Sequence, residues 1–141
     1  MATTPNSIVT VQTPKNGKVQ IANGDAQTQK TVYTGGANGS KLVGLIFSST
    51  DTSARDVQIS ITNGGTSYVL GTVTVPIGAG NSGSVPSVNG FNSTQLPGLA
   101  VDSDGNPFIF LLSASDTLTV SALTTVTSGK LISVNVMGGD F

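Results

Sequence analysis

Leu42-Val43-Gly44-Leu45-Ile46-Phe47 is the longest nearly unbroken apolar run in a chain otherwise rich in Thr, Ser, Asn and Gly. In an extended strand successive side chains point to opposite faces. Leu42, Gly44 and Ile46 would then share one face, and Val43, Leu45 and Phe47 the other. Both faces are apolar, so neither is suited to open water. A helix is the rival for such a run. Gly44 at its centre, the β-branched neighbours and the flanking Gly-Ser and Ser-Ser-Thr clusters favour a short buried strand. The next run supports this, since Val57, Ile59 and Ile61 alternate with Gln58, Ser60 and Thr62 in the manner of a half-buried strand. Ser49 to Ala54 between them is polar and turn-like, which predicts antiparallel neighbours, the first central and the second with one wetter face.

The same punctuation runs through the chain. Ile8 to Gln12 is β-prone, and Thr13-Pro14-Lys15-Asn16-Gly17 reads as a hairpin loop. Val19 and Ile21 then alternate with polar residues, and Lys30 to Thr34 is a short β-type run. Asn63-Gly64-Gly65 suits a tight hairpin, because such turns need positive φ. Ser67 to Val75 follows, with Val69, Gly71, Val73 and Val75 on one face, and Pro76 ends it. Phe108 to Leu112 is the second strand that is apolar on both faces. Thr117 to Ala122 buries Leu118, Val120 and Ala122 and exposes Thr119 and Ser121. Lys130 to Met137 buries Ile132, Val134 and Val136. The ending Gly138-Gly139-Asp140-Phe141 is a loose tail with an aromatic end.

No segment carries helical periodicity. About nine short strands between turn signals predict an all-β fold, an antiparallel β-sandwich of jelly-roll-like type. The 141 residues suit one domain over 1–141, with a long loop at about 76–106. A structureless loop of that length is uncommon in a compact domain. Phe91, Leu96, Leu99 and Val101 recur within it, so it is expected to pack, as an Ω-like crossover, a binding loop or both.

Composition narrows the chemistry. The chain has no His and no Cys, and its seven acidic residues are all Asp. The commonest general base, thiol nucleophiles and Cys-ligated zinc are therefore absent. Nearly all of the seven Asp residues sit beside Gly, Ser or Thr in turn-like stretches, and no assembled catalytic set is visible. The expectation is no enzyme activity and no cofactor. Gly78-Ala79-Gly80-Asn81-Ser82-Gly83 matches G-x-G-x-x-G, but Ser84-Val85-Pro86 does not open the helix that a phosphate-binding site needs. Asp102, Asp104 and Asn106 have the spacing of the first three calcium-loop ligands. Pro107 stands where that loop needs Gly, and no Glu closes it, so a plain turn is expected and no metal. Asn38-Gly39-Ser40 and Asn92-Ser93-Thr94 match the glycosylation acceptor pattern, as an Asn/Ser/Thr-rich chain does by chance.

Partners follow from the surface. Charged residues make up 9% of the chain and the net charge is -1. An average chain carries about 25% charged residues, and a nearly neutral surface promotes association. Self-association is therefore expected. The six basic residues are scattered, which predicts no nucleic-acid footprint. No apolar stretch approaches the ~20 residues that span a bilayer, and Met1 to Ser7 has neither a basic nor an apolar region of a secretory signal, so no membrane role is expected. The surplus apolar face of Leu42–Phe47 or Phe108–Leu112 needs a cover: the long loop, the N-terminal segment or another subunit.

Asn92-Ser93-Thr94-Gln95-Leu96-Pro97-Gly98-Leu99-Ala100-Val101-Asp102-Ser103-Asp104-Gly105-Asn106-Pro107, the strand after it and the ending Gly138-Gly139-Asp140-Phe141 resemble the capsid decoration, or cement, proteins of tailed bacteriophages. The resemblance implies a jelly-roll-like domain on the outer surface of the virion capsid. It implies major capsid protein as partner and a homodimer or homotrimer, with no catalytic residues. On that expectation Phe91, Leu96 and Leu99 in the long loop, with Phe141 at the chain end, would make the contacts. The alternative is a carbohydrate- or receptor-binding module of a phage fibre or spike. Sugar sites favour exposed aromatics, and this chain has no Trp and only two Tyr, Tyr33 and Tyr68.

Overall fold

The structure is a computed structural model and describes residues 11–141. The β-prone residues Ile8 to Thr10 lie outside the described residues. Ten strands follow in order: β1 (Thr13–Ala22), β2 (Lys30–Thr34), β3 (Ser40–Ser49), β4 (Arg55–Asn63), β5 (Thr66–Val75), β6 (Val88–Asn89), β7 (Ala100–Val101), β8 (Pro107–Leu111), β9 (Asp116–Ala122) and β10 (Leu131–Asp140). A single 3-10 turn, Asn23–Asp25, joins β1 to β2.

The strands form two antiparallel sheets. Sheet A runs β1-β10-β3-β8-β7, with β6 also paired to β3, and sheet B runs β2-β9-β4-β5. Without the two-residue strands β6 and β7, the eight long strands pair first with last, second with second-last, and so inward to β4 with β5. That is one long hairpin rolled into two sheets, the jelly roll. The core between the sheets holds Phe47, Phe91, Ile21, Leu42, Leu45, Ile59, Leu111, Leu118 and Ile132, all with essentially no exposed surface. No helix is long and apolar enough to cross a membrane among the described residues.

Three bulges decide which side chains enter that core. On β3, Gly44 pairs with Met137 and Leu42 with Gly138, so Val43 is an extra residue against β10. The inward phase is therefore Leu42 before the bulge and Leu45 and Phe47 after it, not one continuous alternation. On β5 the extra residue is Leu70, between Gly71 opposite Ile59 and Val69 opposite Ser60. Val73 and Val75 are buried, but Val69 turns out to solvent rather than sharing their face. The third bulge lies at Val32 in β2, and Val32 and Tyr33 are both buried.

One turn expectation changes and another is met. Thr13 to Gly17 is not a hairpin loop but the first half of β1, paired from Thr13–Asp140 to Ala22–Leu131. Pro14 fits there because β1 is an edge strand, where a missing N–H leaves no ladder bond unmade. The β4–β5 hairpin closes at Asn63–Thr66, so its two loop residues are Gly64 and Gly65 at φ 58° and 81°. Positive φ at both positions is the twist-matched hairpin turn that Gly allows without strain.

Candidate functional site

The outer face of sheet A carries an aromatic cluster at the end where the chain finishes. On β8, Ile109 and Leu111 point into the core. Phe108 and Phe110 alternate with them and so point outward. Phe110 pairs in register with Lys41 on β3. The rings of Phe108 and Phe110 meet edge to face at 5.1 Å between centroids, and Phe141 packs on Phe110 at 6.1 Å. The Lys41 ammonium lies 4.6 Å from the Phe108 ring centroid, a cation–π contact. Phe110 is 37% exposed and Leu112, the next outward residue, is 79% exposed. Val43 and Met137, either side of the β3–β10 bulge, extend the apolar surface, at 52% and 37% exposure.

A buried polar corner fixes the strand ends that carry Lys41 and Phe141. Ser40 and Asp140 stand opposite each other, one residue before those two. Both the Tyr33 hydroxyl and the Ser40 hydroxyl donate to Asp140 Oδ1 at 2.6 Å. Ser40 Oγ accepts the Gly36 N–H at 2.8 Å, and Lys15 Nζ lies 3.5 Å from Asp140 Oδ2. Burial pushes the Asp140 carboxyl up, but the bonds from Ser40 and Tyr33 and the Lys15 charge outweigh it and hold it below the usual carboxylate value. Burial, reinforced by the Asp140 carboxylate, raises the Tyr33 hydroxyl well above its ordinary value. Tyr33 belongs to sheet B and Asp140 to sheet A, so the bond also ties the two sheets together. The Phe141 N–H donates to the Gly39 carbonyl at 3.0 Å and completes the pin. The tail expected to be loose is therefore strand up to Asp140.

The long loop covers the other half of β3. Asn89 and Val88 pair with Ile46 and Phe47, and the Gly90 N–H donates to the Leu45 carbonyl. A Cβ on Gly90 would sit 2.6 Å from the Phe47 ring, so only Gly fits this approach. Phe91 and Leu96 follow directly and are buried in the core. That corrects the expectation that these two side chains meet a partner: their surface is already inside this molecule. Leu99 is half-buried and, with Leu70, Leu96 and Gly98, lines a small apolar pocket of about 160 Å³. Phe141 alone among the four expected contact residues joins the aromatic cluster.

Phe108, Phe110, Lys41 and Leu112 were not among the expected contacts. Their signal was present in the sequence, as a strand apolar on both faces. A second concavity of about 460 Å³ wraps the β1 edge and is lined by Lys18, Gln20, Lys30, Ser133 and Asn135, with no aromatic ring. Asp102 uses its carboxylate on its own turn, accepting the N–H groups of Asp104 and Asn106 at 2.9 Å each. Comparison with protein families, with curated proteins and with solved structures returns no match.

Proposed function

We propose that this chain is a capsid decoration protein of a tailed phage. It binds the outer surface of the assembled head and bridges neighbouring major capsid subunits. The observation that carries the reading is the outward cluster of Phe108, Phe110, Phe141 and Leu112 on a rigid sheet, in a chain with 9% charged residues. A pinned, largely uncharged apolar face suits a broad docking surface, and aromatic side chains supply large contact area at low entropic cost. The resemblance of Asn92–Pro107 and of the chain ending to cement proteins supports the same reading.

The energetics need no single strong contact. A cement protein stabilises by mass action, because it binds the assembled shell and not its separated parts. Linked sites on one oligomer raise retention by ~10²–10⁴ without a new contact.

The test is co-sedimentation of the purified protein with undecorated, expanded phage shells over a concentration series. The expected result is saturation at a fixed ratio to capsid subunits, with a higher melting temperature of the shell. Phe110→Asp should weaken binding about tenfold or more, a step of ~1.4 kcal/mol, while its melting temperature stays near that of the parent. Absence of binding by the folded protein would overturn the reading and favour the glycan- or receptor-binding alternative.

A further inference from the structure

We propose that the outer face of sheet A takes an acidic partner surface and that Lys41 is the residue that reads its carboxylate, an inference that rests on the docking role above and adds the chemistry of the partner patch. The charges of the fold are sorted by face. The chain carries -1 overall, yet the outward positions of sheet A hold cations only.

On β1, Val19 and Ile21 pack into the core, so Lys18 points out. On β3, Ser40 and Leu42 are buried, so Lys41 points out, in register with Phe110. On β10, Val134 and Val136 are buried, and the outward residues Ser133, Asn135 and Met137 are uncharged. All seven Asp residues are placed elsewhere. Asp140 turns inward to the Tyr33 hydroxyl. Asp25 and Asp51 pair with Lys30 and Arg55. Asp56 and Asp116 lie on strands of sheet B, and Asp102 and Asp104 in the turn between β7 and β8.

Lys41 stands apart from the other cations on that face and its rim. Lys15 and Lys30 are spent on Asp140 and Asp25, whereas Lys41 forms no ion pair among the described residues. Residues 1–10 hold no acidic side chain that could supply one. Asp102 is near enough to feel the Lys41 charge, but its oxygens accept the N–H groups of its own turn. Lys41 is half-buried, with its ammonium 4.6 Å from the centroid of the Phe108 ring. A cation–π contact offsets charge but leaves the N–H donors of an ammonium unused. A partner that pressed only apolar surface onto Phe108 and Phe110 would strip water from those donors without replacing it, which is costly. A carboxylate among apolar groups satisfies them, and exclusion of water strengthens the pair. Lys41 therefore selects against apolar and basic surfaces as well as for acidic ones. Lys18, exposed on the same face, adds a like charge that steers the approach.

The test is binding of the parent, Lys41→Gln, Lys41→Glu, Phe108→Leu and Lys130→Gln to undecorated phage shells over a salt series. Lys130 precedes β10, at the opposite end of that strand from Phe141, and serves as the control. Parent binding should weaken as salt rises, because the screening length shortens from about 10 Å at 0.1 M to about 3 Å at 1 M. Lys41→Gln should bind about tenfold more weakly at low salt and lose most of the salt response, and Lys41→Glu about a hundredfold more weakly. Lys130→Gln should behave as the parent. Phe108→Leu removes the ring and keeps the charge, so it should keep the salt response. A merely structural role for Lys41 would lower binding at every salt alike. Should the Lys41 variants fail to fold, carbodiimide coupling on shells decorated with the parent decides: Lys41 should be joined to a carboxylate of the capsid protein. Lys41→Gln that keeps the parent's affinity or its salt response overturns the proposal and leaves docking standing. So does coupling only through other lysines. A parent that does not bind shells overturns the docking reading and this inference with it.

Discussion

The outer faces of the two sheets are built from different chemistry on the same scaffold. Sheet B turns out hydroxyls. Thr62 Oγ1 shares hydrogen bonds with Ser67 Oγ at 3.1 Å and Thr119 Oγ1 at 3.0 Å, and Ser67 donates on to Gln29. Much of this face is covered within the molecule: Thr119 and Ser121 are 4% and 5% exposed although they point away from the core. Sheet A turns out Phe108, Phe110, Phe141 and Leu112, which cover one another only in part. The comparison teaches where a low-charge surface keeps its capacity for partners. A hydroxyl face satisfies most of its groups with neutral bonds, Ser60 Oγ excepted, while an aromatic face gains by meeting another surface.

The comparison can be broken first at its aromatic rings. Phe91 is fully buried in the core and Phe110 is not. Phe91→Ala should cost ~3–5 kcal/mol of stability by leaving a cavity, and Phe110→Ala less than ~1 kcal/mol. Chemical denaturation of the two variants checks this. Equal costs would mean that the outer cluster is part of the core.

Acid should loosen the ties between the two sheets next. Two ionised carboxylates hold strand ends in place: Asp140, and Asp51, whose carboxylate accepts from Arg55 Nε at 2.7 Å and from Thr127 Oγ1 at 2.6 Å. Burial pushes the Asp51 carboxyl up, yet the Arg55 and Thr127 bonds hold it well below the ordinary value. Both carboxyls are thus depressed in the folded state. Their contribution is present above the unfolded value of about 4 and is lost as pH falls below it. Melting temperature should drop below pH ~4, with a smaller drop in Asp140→Asn.

The smallest effects lie on that hydroxyl face. Thr62→Val removes a hydroxyl bonded to two neighbours and should cost ~1 kcal/mol. Ser60 Oγ is buried without a partner among the described residues. Ser60→Ala should therefore be neutral or stabilising by a few tenths of a kcal/mol, read as an unchanged or slightly higher melting temperature.

Much of the fold was legible in local pattern. Val57 and Ile59, Leu118 and Val120, and Ile132, Val134 and Val136 all enter the core as their alternation predicts. The docking face was half legible. Phe108 to Leu112 announced a surplus apolar face, but the expected contacts were Phe91, Leu96, Leu99 and Phe141, and the first two are loop residues equally consistent with the core packing they adopt. Thr119 and Ser121 read as exposed because their residue type and alternation say so. Thr119 is met by the Thr62 hydroxyl and Ser121 stands opposite Gln58, both on β4, which lies far away in sequence.

By itself the sequence determined the class of structure: strand periodicity, Gly and Asn turns, and a composition without His, Cys or Glu. Those properties act within a few residues, so they can be read from a few residues. Only the tertiary structure decided the phase and the cover. The bulges at Val43 and Leu70 shift which side chains face inward, and they show only against the partner strand. Likewise, Phe47 receives Val88 and Gly90 from the long loop while Phe110 receives Phe141 from the chain end. Cover depends on which distant segments meet, and that is settled by the closing of the whole roll.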